Sequence, residues 1–484
     1  MEPRTLKNYV GGAWVASSSP ELLDVHNPAT GEAIARVPLS TAAEVNQAVA
    51  AARDAFQEWR ETPPLVRSRT MFRLKALLEE HFEELARGLT QEHGKILDEA
   101  RGEVRRAIEN VEVAAGIPSL MMGYNAEDIA AGIDEDCVLQ PVGVFCCVAP
   151  FNFPAMVPFW FLPYAIACGN TYIVKPSEVC PISQTRLFEM LDAVDLPPGV
   201  VNLVNGAKGA VDALLTHPDV AGVSFVGSTP VGKYIYATAA AHGKRAQCQA
   251  GAKNALVVLP DAPLGPTVAA IMTSAFGTAG QRCLAGSLVL AVGEAYEPLK
   301  ERLVAAAARI KVGNGLDETV QMGPVATHRS LDRIRAAIEK GLQEGASLLL
   351  DGRAVRVEDY PNGCFIGPTI FDRVRPEMAL ACDEIFGPVL GIVRVADFDQ
   401  ALALIDQIPY GNAASLFTSS GKYAREFKYR LRCGNIGINI GIAAPIATFP
   451  FSGMKQSFFG DLHGQGRDAI QFFTERKVVI TRWF

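Results

Sequence analysis

Residues 144–178 read VFCCVAPFNFPAMVPFWFLPYAIACGNTYIVKPSE. Val144–Val148 is a short, wholly apolar run of strand-forming residues. A proline-bounded turn follows at Pro150–Pro154, then an apolar helical stretch over Ala155–Cys168. A second strand is expected at Thr171–Val174. The alternation continues with a helix at Ser183–Ala193, a strand at Val200–Val204, a helix at Gly209–Thr216 and a strand at Gly222–Val226. Strands that alternate with helices imply a parallel, doubly wound sheet, so the fold class is α/β. Such sheets bind ligands outside the C-terminal ends of their strands. The loops that matter are therefore Ala149–Pro154, Lys175–Pro181, Asn205–Gly209 and Gly227–Gly232.

Outward from this stretch the texture changes twice. Upstream, residues 42–116 have apolar residues at helical spacing, in Val45–Phe56 and Thr70–Leu89. Downstream, a second α/β region runs from Gly251 to about Gly453. It should hold helices at Thr267–Phe276, Pro298–Ile310 and Ser330–Glu344, and a strand at Ser287–Val292. Ile470–Trp483 reads as a strand beyond both domains, placed to pair with a partner subunit. A chain of 484 residues exceeds what one hydrophobic core serves, which also requires two or more domains.

Composition excludes several classes. The net charge of −7 offers no basic footprint for nucleic acid. No run approaches the roughly 20 apolar residues of a membrane span, and the N-terminal residues have no apolar signal region. The ten cysteines mostly stand singly in apolar strands, which suits reduced thiols in the cytoplasm. Without CxxC or HxxxH spacing no metal site is expected.

Phe276–Cys283 reads FGTAGQRC, a small and flexible segment after a helix. An arginine beside Cys283 and glycines close by should favour thiolate character and access, the properties of a nucleophile. Alone, such a cysteine would more often be a buried thiol. The segment gains meaning from its companions. Asn152–Ala155 (NFPA), Lys175–Glu178 (KPSE), Gly227–Gly232 (GSTPVG), Gly280–Cys283 (GQRC) and Glu384–Pro388 (EIFGP) occur together and in order. In this the chain resembles the aldehyde dehydrogenase superfamily across nearly its whole length.

The resemblance implies a Rossmann-type NAD-binding domain at 1–122 and 144–250. A catalytic domain at 251–453 would follow, with an oligomerisation arm and tail at 123–143 and 454–484. It implies Cys283 as nucleophile and Asn152 as an oxyanion donor, worth about 3–4 kcal/mol. It also implies cofactor contacts at Ala149, Phe151, Lys175, Glu178, Ser228, Ala250, Glu384 and Phe386. No GxGxxG follows the first strand, so NAD rests on this likeness. The GSTPVG run does make physical sense as a capped helix start whose free N–H groups can face a phosphate. A ribose-holding Glu178 would repel a 2′-phosphate, which favours NAD over NADP.

Two departures from hydrolytic members point to a particular chemistry. Gln249 stands where they carry a glutamate base, and Phe161 where they often carry a lysine. Loss of a general base costs about 10²- to 10⁴-fold in rate. A thioester that water attacks slowly can wait for a thiol, which suggests coenzyme A as acyl acceptor. The stretches Ala107–Gly123, Asn152–Trp160, His242–Arg245, Gly251–Asn254 and Phe451–Thr474 resemble methylmalonate-semialdehyde dehydrogenases in particular. That likeness implies oxidation of malonate or methylmalonate semialdehyde, decarboxylation and transfer to CoA. Arg106 and Arg282 would clamp the substrate carboxylate, and the subunits would form a homodimer or homotetramer. A hydrolytic aldehyde dehydrogenase and a catalytically silent scaffold stay open as alternatives.

Overall fold

The computed structural model describes residues 3–484. Its first sheet has at its centre β1 (Val144–Val148), β2 (Thr171–Lys175), β3 (Val201–Leu203), β4 (Val220–Val226) and β5 (Arg245–Gln249). All five are parallel, in the spatial order β3-β2-β1-β4-β5. The order reverses between β1 and β4, which opens a ligand crevice at their C-terminal ends. The loops that leave those two strands are Ala149–Pro154 and Gly227–Ser228.

Both faces of this sheet are covered. Phe145 and Cys147 join one core with Leu162, Ile166 and Tyr172. Val144, Cys146 and Val148 point the other way, into a core with Val45, Val49 and Ile173. Hence the strand is apolar at every position rather than alternating. Antiparallel additions finish both edges. The hairpin Asn8–Val10/Ala13–Val15 lies beside β3, and Phe458–Phe459 lies beside β5.

A second sheet is built from β6 (Asn254–Val258), β7 (Gly286–Val292), β8 (Ser347–Leu350), β9 (Thr369–Asp372), β10 (Val389–Val395), β11 (Ala413–Phe417) and β12 (Asn435–Ile438). Its order is β8-β9-β10-β7-β6-β11-β12, with only β8 antiparallel. Helices α1 (Leu97–Ala115), α2 (Thr229–Ala241), α3 (Leu264–Phe276) and α4 (His328–Gln343) flank the two sheets and carry site residues. A third, antiparallel sheet joins Tyr124–Ala130, Ile133–Pro141 and Thr474–Arg482. Of the tail at 454–484, only Thr474–Arg482 joins this arm; Met454–Lys455 pairs with Tyr410–Gly411 instead.

Three expectations are corrected. Ala155–Cys168 is two short helices, Met156–Phe159 and Leu162–Cys168, because Pro163 lacks an N–H and its ring clashes with the preceding turn. Thr70–Leu89 is divided at His81, whose ψ of 15° ends one helix and starts the next. Ile470–Phe472 belongs to a helix, Gly466–Phe472, rather than to a strand. There Phe472 and Phe473 pack on Phe145, with centroids 5.6 and 4.9 Å away, so burial overrides β propensity. No helix among the described residues is long and apolar enough to cross a membrane.

Candidate active site

Cys283 follows a tight turn at the end of α3. Thr278, Ala279 and Gly280 all have positive φ, at 53°, 49° and 70°. A β-branched residue there is strained and must be held by its surroundings. Glu99, on α1, does so by accepting the Thr278 N–H at 2.6 Å. Gly280 is obligatory for a second reason: a Cβ there would meet the Gly387 carbonyl oxygen at 2.2 Å. The EIFGP segment therefore presses directly on the Cys283 loop. Beyond the turn, the Cys283 carbonyl accepts hydrogen bonds from Asn254 at 2.8 Å and Asn412 at 2.7 Å.

The cysteine opens onto a cavity of about 290 Å³ whose lining includes Arg106, Phe153, Trp160, Arg282 and Phe451. Asn152 is buried, and its amide donates to the Gln281 carbonyl at 3.2 Å, which places it beside the cysteine loop. The loop bearing Asn152 is fastened from beneath. Buried Lys95 donates to the Asn152 carbonyl at 2.7 Å and is ion-paired with buried Glu103. Glu103 in turn accepts the N–H groups of Ala155 at 2.8 Å and Met156 at 3.1 Å.

Glu99, Glu103, Arg106 and Asn110 stand at helical spacing on one face of α1, and all four line the cavity. Only Arg106 is singled out by the sequence. The spacing is itself a signal, a polar stripe along the inner face of a helix. Arg105 points elsewhere, to Glu79 at 2.6 Å, as adjacent helical positions must. Both cavity arginines already have a carboxylate partner: Arg282 holds Glu99 at 2.7 Å and Arg106 holds Glu109 at 2.8 Å.

Thiolate character at Cys283 is corrected. Burial pushes the thiol up to about 12, the negative Glu384 adds to this, and Arg282 offsets only a little. The backbone N–H groups of Cys283 and Leu284 also favour the anion. Alkylation of Cys283 in the ligand-free protein should therefore quicken by about tenfold per pH unit between pH 7 and 9. Peptide mass spectrometry after iodoacetamide would read this; a plateau above pH 7 would contradict it.

Most of the candidate cofactor residues lie at or just beyond the C-terminal ends of strands in the first sheet, and Glu384 and Phe386 lie in the EIFGP segment. The rings of Phe151 and Phe386 meet edge to face at 5.8 Å. Phe151 is backed by the buried His93 ring at 6.1 Å. Lys175, at the end of β2, pairs with Glu178 at 3.2 Å and donates to the Gly206 carbonyl at 2.9 Å. Burial lowers the Lys175 ammonium despite that partner. Ala149 continues β1 and donates to the Lys175 carbonyl at 3.0 Å. Ser228 is the N-cap of α2 and makes no side-chain cap bond, which leaves first-turn N–H groups without a side-chain partner. Thr229 accepts the Gly251 N–H at 3.0 Å, and Glu384 accepts the Ala252 N–H at 3.0 Å, next to Ala250. Burial raises the Glu384 carboxyl to about 7 and lowers the Lys253 ammonium to about 8. Lys253 has no hydrogen-bond partner among the described residues.

Gln249 ends β5. Its amide donates to the Phe451 carbonyl at 2.6 Å, and its oxygen has no partner among the described residues. Phe451 stacks on Trp160 at 4.4 Å, so Gln249 braces the cavity wall. Phe161 is fully buried, and Gly464 packs against its ring. No cluster of potential metal ligands occurs among the described residues.

A profile of the aldehyde dehydrogenase family matches residues 14–479. The chain belongs to the aldehyde dehydrogenase family. Within that family it closely matches malonate- and methylmalonate-semialdehyde dehydrogenases. It is 52% identical to malonate-semialdehyde dehydrogenase 2 of Geobacillus kaustophilus over 481 residues, 99% of both chains. It is 49% identical to malonate-semialdehyde dehydrogenase of Halalkalibacterium halodurans over 478 residues, 99% of this chain and 98% of the other. Among solved structures, a putative methylmalonate-semialdehyde dehydrogenase from Sinorhizobium meliloti, complexed with NAD, superposes with a TM-score of 0.98 at 43% identity. That match covers 100% of this chain and 98% of the other. Methylmalonate-semialdehyde dehydrogenase from Oceanimonas doudoroffii gives 0.98 at 45% identity, covering 99% and 98%. An aldehyde dehydrogenase fold, with a Rossmann-like domain and a catalytic domain, is thus established for this chain.

Proposed function

We propose that this aldehyde dehydrogenase uses NAD to oxidise malonate or methylmalonate semialdehyde, releases CO₂, and transfers the acetyl or propionyl group to coenzyme A. The observation that carries the reading is the cavity that brings Cys283 together with two arginines. No carboxylate base stands at position 249, where Gln249 is instead bound to the Phe451 carbonyl.

Cys283 would attack the aldehyde carbon, and its sulfur must lose a proton as it does so. The amide of Asn152 and the backbone N–H of Cys283 would meet the developing oxyanion, a reading supported by the bond from that amide to the Gln281 carbonyl of the cysteine loop. Arg106 and Arg282 would orient the substrate carboxylate in the apolar cavity formed by Phe153, Trp160 and Phe451. NAD, when bound, supplies the hydride acceptor. The crevice fits it: Lys175 and Glu178 would hold the adenosine ribose, and Glu384 the nicotinamide ribose. The N-terminal turn of α2 at Ser228, with Ala250 alongside, would face the pyrophosphate, and Ala149, Phe151 and Phe386 would line the path to Cys283. The Glu178 carboxylate favours NAD over NADP.

Departure of hydride leaves a thioester on Cys283. A thioester carbonyl can accept the electron pair left when the carboxylate departs as CO₂. Gln249 cannot deprotonate water at neutral pH, so the thioester persists until the CoA thiol exchanges with it. Introducing a base should change the acceptor: Gln249→Glu is expected to raise hydrolysis of the acyl-enzyme on the order of 10²-fold. Quenched-flow measurement of free acid without CoA would check this; unchanged hydrolysis would mean that position 249 does not control the acceptor.

We infer a cytoplasmic homodimer or homotetramer. The arm exposes Val478 (58%) and Ile480 (65%), apolar surface that a second copy would cover. The deciding experiment is NADH formation from malonate semialdehyde with and without CoA, with products identified by mass. CoA-dependent formation of acetyl-CoA and CO₂ supports the proposal. Full turnover to a free acid without CoA overturns it in favour of hydrolysis.

A further inference from the structure

Arg282 enters the cavity with two of its five N–H donors in use. Its Nε donates to the Thr278 hydroxyl at 3.0 Å and its Nη2 to Glu99 Oε1 at 2.7 Å. Both N–H groups of Nη1 and the second N–H of Nη2 have no partner among the described residues. Gly277 makes this arrangement possible, because a Cβ there would lie 2.0 Å from Nη2 and 3.0 Å from the Glu99 carboxylate. Glu99 is itself tightly fixed. The oxygen that meets Arg282 also accepts the Thr278 N–H, and the other accepts the Ile96 N–H at 3.4 Å. Its side chain is 15% exposed and lines the same cavity as Cys283.

An unengaged guanidinium offers a carboxylate two parallel hydrogen bonds. Here Glu99 takes one N–H of Nη2 and sets a negative charge beside the remaining donors. Arg106 is similarly matched by Glu109. The positive charge of the two cavity arginines is therefore largely balanced before any substrate arrives. A substrate carboxylate paired with the free Arg282 donors would lie beside a second negative charge, that of Glu99.

We propose that Glu99 is a specificity-determining residue: by balancing the Arg282 charge from within the cavity it weakens the hold on the substrate carboxylate and favours its expulsion as CO₂. This rests on the semialdehyde reading above. In the step, the bond between C2 of the malonyl thioester and its carboxylate carbon breaks. The electron pair moves onto the thioester as an enolate, CO₂ leaves without charge, and C2 takes a proton from water. Relief of the repulsion against Glu99 accompanies the loss of charge from the carboxylate.

Glu99→Gln keeps an oxygen for the Thr278 N–H and removes the charge. Its selectivity, kcat/KM for malonate semialdehyde over that for propanal, is expected to rise by about tenfold, the effect of removing one negative charge from beside the bound carboxylate. CO₂ released per NADH should fall below the wild-type ratio, and malonyl-CoA should appear by mass spectrometry. Glu99→Asp keeps the charge and should retain the wild-type CO₂ ratio. An unaltered selectivity or an unaltered CO₂ ratio in Glu99→Gln overturns the proposal. So does equal loss of CO₂ in Glu99→Asp, which would assign the effect to loop geometry. Wild-type enzyme that makes no acetyl-CoA or CO₂ would instead refute the semialdehyde reading itself, so the two failures are distinguishable.

Discussion

Lys95→Met is expected to destabilise the protein by about 3–5 kcal/mol, because it leaves a buried carboxylate without its counter-charge. Lys95 and Glu103 have side chains that are 0% exposed, and each is the other's ion-pair partner. The Glu103 carboxylate keeps two backbone donors, Ala155 and Met156, but these do not neutralise it. The Lys95 ammonium also lies 4.3 Å from the Phe153 ring centroid, a contact that methionine would only partly replace. Activity should fall as well. The Asn152 carbonyl loses its anchor, and the amide proposed to meet the oxyanion is no longer held at a fixed depth. The double variant Lys95→Met/Glu103→Leu removes both charges, and should recover a substantial part of the stability without recovering full turnover. Urea unfolding of the two single variants and the double would give the coupling directly. Equal destabilisation in Lys95→Met and the double variant would show that packing, not charge, dominates.

That pair illustrates where sequence reading reached its limit. β1 was legible to the residue because five consecutive apolar positions allow only a strand buried on both faces. Cys283 and Asn152, which the structure brings together at one loop, stand out in the sequence because both lie in short motifs that resemble those of a known superfamily. Lys95, Glu99 and Glu103 do not. They occupy a charge-rich segment that looks like a solvated helix, and each acquires its role from distant partners. Lys95 meets Asn152 across 57 positions, Glu99 meets Thr278 across 179, and Asn412 meets Cys283 across 129. Local periodicity does not reveal such pairings, although the spacing of Glu99, Glu103, Arg106 and Asn110 marks one polar face. The proximity of Arg282 to Cys283 was legible, but its effect on the thiol was not. Charge proximity reads from adjacency in the chain, whereas desolvation depends on the whole fold around the sulfur.

Cys283→Ala should lower NADH formation by at least about 10⁴-fold, in the range expected when a covalent nucleophile is removed. The size of the loss follows from the absence of a substitute. Of the ten cysteines, only Cys283 lines the cavity beside Arg106 and Arg282. Cys146, Cys147 and Cys168 lie fully buried in the cores on either face of the first sheet, away from the cavity. Cys382 is accessible but directs its sulfur to the Pro376 carbonyl at 3.0 Å. With semialdehyde and NAD but no CoA, the wild-type enzyme should accumulate an acyl adduct on the peptide containing residue 283, in step with one burst of NADH. Adding CoA should clear the adduct. The alanine variant should show neither burst nor adduct while still binding NAD, since none of the candidate cofactor side chains is altered. Alanine-variant turnover above about one per cent of wild type would be incompatible with a sole covalent nucleophile at this position. The CoA-dependent route would then need a thioester on another cysteine, which the adduct's mass would locate.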